Sequence, residues 1–151
     1  MPAVIVDRQR RQAVPVARLA RAAQRALDAL GRPAGEVDVA IVDDAAIRAL
    51  NAEHRGISRR TDVLAFPMER AGAASGLLGQ IVISADTAAR QARKLEVPLG
   101  LELELLTTHG VLHLAGYDDR DPVEANLMHQ REREILGEAA PPRLWRGLLH
   151  V

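Results

Sequence analysis

Apolar positions in this chain repeat at intervals of two in some stretches and of three or four in others, and the changes of period mark the predicted elements. Ala3-Val4-Ile5-Val6-Asp7 reads as a short strand, and Arg8 to Arg11 as a solvated turn. From Pro15, residues Val16, Leu19, Ala23, Leu27 and Leu30 recur at helical spacing, with Arg18, Arg21 and Arg25 on the other side. Pro15 suits the first turn of that helix and Gly31 its end. Val37, Val39 and Ile41 alternate with Glu36, Asp38 and Ala40, the pattern of a half-buried strand. Asp43 or Asp44 then caps a helix from Ala45 to His54, with Ile47 and Leu50 inward and Gly56 past its end.

A polar, arginine-rich loop from Gly56 to Arg60 precedes an extended run, Thr61 to Phe66, closed by Pro67. Glu69 to Gly76 is small and flexible in composition and reads as a loop between strands. Leu78 to Ile83 is apolar on both faces, as a buried strand would be. Ser84 or Asp86 caps a helix from Thr87 to Leu95, and Pro98 opens a longer helix to about Ala115, apolar enough to be central. Asp121-Pro122-Val123-Glu124 begins another helix. It continues through Arg131-Glu132-Arg133-Glu134, which reads as a solvated face, to Gly137. The tail from Pro141, with Leu144, Trp145, Leu148 and Leu149, predicts a last short helix docked on the body. The order β-α-β-α-β-β-α-α-α predicts an α+β fold. We expect a single domain over residues 1–151, with a small mixed four-stranded sheet covered by helices and the long apolar helix at its centre.

Composition narrows the function classes. At 151 residues the chain is long enough for a real core. It contains no cysteine, which excludes disulfides and thiolate metal sites. The start, Met1-Pro2-Ala3-Val4, lacks the basic-then-apolar pattern of a signal peptide, and no apolar run approaches the ~20 residues of a membrane helix. A cytoplasmic protein with no membrane contact is therefore expected. Formal net charge is zero, so nucleic acid is not held by bulk electrostatics and any contact must come from a local patch. Lys94 is the only lysine; arginine suits bidentate phosphate contacts, although genomic base composition explains the bias equally simply. With only Phe66, Tyr117 and Trp145 aromatic, a base-stacking platform is not expected.

The chemistry concentrates in Thr108-His109-Gly110-Val111-Leu112-His113-Leu114-Ala115-Gly116-Tyr117-Asp118-Asp119. Residues four apart on a helix share a face with Cβ atoms about 5–6 Å apart. His109 and His113 can thus reach one ion at about 2.0–2.1 Å each. Gly116 supplies the helix stop, and the turn after it returns a carboxylate, Asp118 or Asp119. Two imidazoles and one carboxylate, with a position left for water, make a catalytic rather than a structural metal site. His54, His129 and His150 stand alone, though His129 would become the third ligand were Asp119 to point away.

His109-Gly110-Val111-Leu112-His113-Leu114-Ala115-Gly116-Tyr117-Asp118 also resembles the signature of the YbeY family, bacterial metal-dependent endoribonucleases of ribosomal RNA maturation. Two further blocks are similar to the same family: Leu50-Asn51-Ala52-Glu53-His54-Arg55-Gly56 with Thr61-Asp62-Val63-Leu64-Ala65-Phe66-Pro67, and Leu78-Gly79-Gln80-Ile81-Val82-Ile83-Ser84. The resemblance implies a metal set of His109, His113 and Asp119, the last standing where the family usually has a third His, with one zinc ion as cofactor and other divalent metals as alternatives. An oxygen ligand makes the site harder and one charge more negative. Gln80 stands where an Asp is common, which removes a carboxylate near the expected cleft. The resemblance also places a functional arginine at Arg55, to hold the scissile phosphate or the charge that develops on it, with Arg59 and Arg60 as weaker backbone contacts. The structural alternative for Arg55 is a helix-end arginine completing the dipole.

The implied activity is single-strand-specific endoribonuclease cleavage in small-subunit ribosomal RNA 3′-end processing and ribosome quality control. RNA and the small ribosomal subunit are the implied partners, and no DNA is expected. Three alternatives remain: a non-catalytic, metal-stabilised ribosome assembly factor, a zinc protease and a mononuclear iron oxygenase. A protease lacks its usual base, since Gly110 stands where His-Glu-x-x-His has Glu, and the helices here do not suit the all-β scaffold of the oxygenases. Asp118 is available as a base, or as a carboxylate orienting a ligand imidazole.

Overall fold

The computed structural model describes residues 3–53, 62–68, 77–138 and 140–147. In chain order its elements are β1 (Ala3–Asp7), α1 (Val16–Ala29), β2 (Glu36–Val42), α2 (Asp44–Glu53), β3 (Val63–Pro67), β4 (Leu77–Ser84), α3 (Ala85–Leu95), α4 (Leu99–Leu114) and α5 (Pro122–Leu136), followed by a 3₁₀ helix (Pro142–Gly147). The predicted order of strands and helices is found, with ends shifted by a residue or two. Of the alternative caps, Asp43 accepts from the Ala46 N–H at 2.9 Å and Ser84 from the Thr87 N–H at 3.2 Å.

The strands form one mixed sheet in the order β1-β2-β4-β3. β1, β2 and β4 are parallel, with α1 crossing from the first to the second, and β3 pairs antiparallel to β4. Alternate side chains of a strand point to opposite faces, and the sheet uses both. Val39, Ile41, Val63, Ile81 and Ile83 join the larger core with Leu19, Leu27, Leu103, Leu106 and Leu112. Val42, Leu64 and Val82, one residue out of phase, pack with Ile47 of α2 in a smaller cluster. Full burial of a leucine or isoleucine contributes about 1.5–3 kcal/mol, so the larger core fixes the register.

α4 is the central helix, as its composition predicts. Every residue from Glu102 to Leu112 is buried, the expected state of a helix apolar on most sides. The charge on Glu104 is met by Arg18 at 2.6 Å and Arg25 at 3.5 Å, both on α1. At Gly110 the helix lies hard against the sheet: a Cβ there would sit 2.8 Å from Ile81 Cγ2. That close approach presses the turn carrying His109 onto β4. Among the described residues, no helix is long and apolar enough to cross a membrane.

Candidate metal centre

One turn of α4 separates His109 from His113, and their Nε2 atoms lie 3.1 Å apart with the rings edge to face. The helix then ends in a paired-hydrogen-bond turn: Gly116 N–H reaches the His113 carbonyl at 3.1 Å and Tyr117 N–H the Leu112 carbonyl at 3.0 Å. Gly116 takes φ +107°, which a side chain would strain. The same turn sets the Tyr117 carbonyl 3.1 Å from His113 Nδ1. A carbonyl only accepts, so His113 donates from Nδ1 and leaves Nε2 facing outward.

Past the turn, Asp119 comes back over both rings. Its Oδ2 is 3.6 Å from His109 Nε2 and its Oδ1 3.8 Å from His113 Nε2. A tetrahedral ion with bonds of about 2.0–2.1 Å spaces its ligand atoms roughly 3.3–3.4 Å apart. With one Asp119 oxygen facing each ring, every one of these approaches is within half an ångström of that spacing, and the residues fit a divalent metal. His109 is fully buried, whereas the side chains of His113 and Asp119 are 27% and 18% exposed. The cluster is closed behind and open in front, which leaves room for water or substrate.

Behind His109 is a layer that the sequence reading missed. Glu132 Oε2 lies 2.5 Å from His109 Nδ1, with both side chains fully buried. Glu132 Oε1 is 2.8 Å from His129 Nδ1 and accepts the Trp145 indole N–H at 3.0 Å. The rings of His109 and His129 are near parallel, with centroids 6.3 Å apart. Among the described residues, two groups of three donors could hold a metal: His109, His113 and Asp119, and His109, His129 and Glu132. The second is wholly buried and filled by its own hydrogen bonds; the first has the open side.

The charges support one another across the cluster. Burial alone would push the His109 imidazolium down, but the carboxylates of Glu132 and Asp119 outweigh it and hold the pKa well above the usual histidine range. The imidazoles of His109 and His113 keep Asp119 far below the usual carboxylate range, against the smaller effect of its partial burial. Burial would raise Glu132, yet the charge and hydrogen bond of His109, with His129, keep it ionised. His109 thus stands between two carboxylates, an arrangement that favours positive charge at its ring.

Three expectations change. Glu132 does not belong to a solvated face: it falls in register with Met128 and Ile135 on the buried side of α5. That four-then-three spacing was the available signal, masked by the charges around it. Asp118 does not orient an imidazole; its carboxylate binds Arg120 Nε at 2.7 Å and the Asp119 N–H at 2.7 Å, so it props the ligand's backbone. His129 is not alone but shares Glu132 with His109, its Nδ1 2.8 Å from Glu132 Oε1. Gln80 is exposed, and in the alternation of β4 it falls opposite Ile81, the residue that α4 covers. His54, Arg55, Arg59, Arg60 and His150 lie outside the described residues.

Comparison with known proteins gives the family. Residues 4–140 match the family profile described as Endoribonuclease YbeY. A protein of Anaeromyxobacter sp. (strain Fw109-5) named Endoribonuclease YbeY is 46% identical over 118 residues, covering 78% of this chain and 62% of that protein. The chain thus spans about three-fifths of that relative's length. Proteins of the same name from Syntrophotalea carbinolica and Geobacter metallireducens are 42% and 41% identical over 136 and 140 residues. Those matches cover 87% and 89% of this chain and 91% and 93% of the two relatives. The solution structure of TM1509 from Thermotoga maritima shares the fold, with a TM-score of 0.60 at 23% identity over 97% of this chain and 91% of that one. A profile matched almost from end to end, by a chain whose fold has a solved counterpart, places this protein in the YbeY family.

Proposed function

We propose that this chain is a metal-dependent endoribonuclease, carried by one domain over residues 1–151, that hydrolyses single-stranded ribosomal RNA precursors. The observation that carries the reading is the convergence of His109 Nε2, His113 Nε2 and the Asp119 carboxylate on one solvent-facing mouth. Zinc is the proposed ion, since two imidazoles and a carboxylate with an open position are a familiar zinc donor set. When bound, such an ion supplies Lewis acidity toward a phosphate oxygen and lowers the pKa of a coordinated water toward ~7.

The chain's own groups do the rest. His109 and His113 present Nε2 because Nδ1 of each is engaged, by Glu132 and by the Tyr117 carbonyl. Asp119 adds a negative oxygen, and Asp118 with Arg120 holds the loop from which it comes. Arg55 is proposed to hold the scissile phosphate through its planar guanidinium. Between the two histidines the chain carries Gly110, Val111 and Leu112, with no carboxylate to shuttle a proton in peptide hydrolysis. A nuclease is therefore favoured over a protease. The small ribosomal subunit is the proposed partner and the cytoplasm the proposed location, with neither membrane nor DNA involved.

The test incubates purified protein with a 3′-extended small-subunit RNA, with and without chelator. Cleavage should stop with chelator, return with zinc, and be absent in His113→Ala. Equal cleavage with and without chelator overturns the metal-dependent reading, and RNA binding without cleavage identifies an assembly factor instead. Metal analysis of Asp119→Ala checks the third ligand: zinc per chain should fall well below that of the wild type. Undiminished zinc would assign the third position elsewhere.

A further inference from the structure

The hydrolytic reading explains the convergence of His109, His113 and Asp119 but not the layer sealed behind them. Glu132 has no exposed surface and Trp145 almost none, yet each carries a polar group that must be satisfied in the interior. The carboxylate of Glu132 answers three rings at once. Oε2 faces His109 Nδ1 at 2.5 Å, and Oε1 faces His129 Nδ1 at 2.8 Å and Trp145 Nε1 at 3.0 Å. An indole N–H can only donate, and an ionised carboxylate can only accept. The indole thus keeps Oε1 as an acceptor, while Oε2 requires a proton on His109 Nδ1. An imidazole protonated there has the lone pair of Nε2 free for an ion.

We infer that Glu132 is a positioning residue of the metal centre, fixing which nitrogen of His109 faces the ion, and that Trp145 of the C-terminal 3₁₀ helix holds Glu132 in that role. The inference rests on the metal-dependent reading above. It assigns a task to a helix remote in sequence from the ligands: Trp145 lies 13 residues beyond Glu132, which lies 23 beyond His109. Arg133 covers the outer side of the indole, its guanidinium carbon 5.1 Å from the ring centre.

The assignment predicts a specific conflict in Glu132→Gln. A glutamine has one accepting end and one donating end. With its amide N–H2 toward His109, the ring proton must move to Nε2, the ligand atom. With that N–H2 toward Trp145, two donors face each other. Trp145→Phe removes the second conflict, because His129, the other group at that end, can accept at Nδ1 as its alternative tautomer, and the glutamine can then turn its carbonyl to His109.

Zinc affinity is measured for the full chain by competition with a chromophoric chelator, in the wild type, the two single variants and the double variant. Glu132→Gln should weaken zinc by about 10- to 100-fold, the usual cost of losing such a supporting hydrogen bond. Trp145→Phe alone should weaken zinc less than Glu132→Gln does, because His129 still holds Oε1, and the double variant should regain most of the loss. Zinc-loaded wild type, examined by ¹⁵N NMR, should carry the His109 proton on Nδ1, whether or not any variant folds. Unchanged affinity in Glu132→Gln, no recovery in the double variant, or a His109 proton on Nε2 would each overturn the inference. A wild type that binds no zinc would instead defeat the metal-dependent reading itself, which separates the two failures.

Discussion

His109 and His113 occupy successive turns of one helix, yet they are secured in opposite ways. His113 donates to a carbonyl four residues ahead, within the turn that Gly116 makes possible, and its side chain is partly exposed. His109 is sealed in the core and leans on a carboxylate from another helix. One support is local, backbone-made and wet; the other is distant, made by side chains and dry. The difference teaches that two histidines which converge on one point can contribute unequally to the fold. The exposed histidine can be lost without disturbing the core, whereas the buried one neutralises a carboxylate that water cannot reach.

The largest expected effect separates the two directly. His109→Ala removes a main partner of a fully buried Glu132 and should cost about 3–5 kcal/mol in a urea titration. His113→Ala should cost about 1 kcal/mol or less by the same measurement, although on the proposed function both variants should lose zinc. Equal losses would break the contrast. Next is Gly116→Ala, which forces a side chain into φ +107°. It should cost about 1–3 kcal/mol and weaken zinc through His113 alone, leaving the His109 ring signals in place by NMR. A displaced His109 would show that the two supports are one unit.

The smallest effect asks whether distance in sequence or burial sets the cost. Asp44 also draws on remote partners, accepting from Ser84 Oγ at 2.7 Å and Thr87 Oγ1 at 2.6 Å and pairing with Arg90 at 2.9 Å, but its side chain is 20% exposed. Burial alone would raise its carboxyl; the hydrogen bonds from Ser84, Thr87 and Arg90, with the Arg90 charge, outweigh that and lower it from 3.8 to about 2. A depressed folded pKa stabilises the fold above the unfolded value, and the contribution disappears as the pH falls through the folded one. Asp44→Asn should thus cost about 1 kcal/mol near neutrality, and the gap from wild type should close between about pH 4 and pH 2. A gap as large as that of His109→Ala would make remoteness, not burial, the governing quantity.

What could be read in the sequence follows the same division. The strands, the helix order, the central α4, the His109–His113 spacing and the Gly116 stop are local signals, and all are found. Asp119 was within reach because it follows the turn directly. Glu132 was not, because four charges in a row from Arg131 to Glu134 resemble a wet surface unless the spacing of Met128 and Ile135 is given more weight than polarity. Trp145 was read correctly as packing against the body, but its hydrogen-bond partner depends on how two distant helices meet. The role of Asp118 was misread for a related reason: its partners are the nearest available, Arg120 and the Asp119 backbone, and nearest-neighbour pairing competes with any longer reach.

The contact between Gly110 and Ile81 has a consequence for what this scaffold could become. In His-Glu-x-x-His enzymes the residue after the first histidine carries the base, and here even one added carbon at that place would press on the sheet. Acquiring that base would demand a smaller residue on β4, or a helix raised from it, before the new side chain gave any advantage. An evolving lineage would therefore cross a stretch of less stable intermediates, and the spacing of two layers keeps neighbouring chemistries apart.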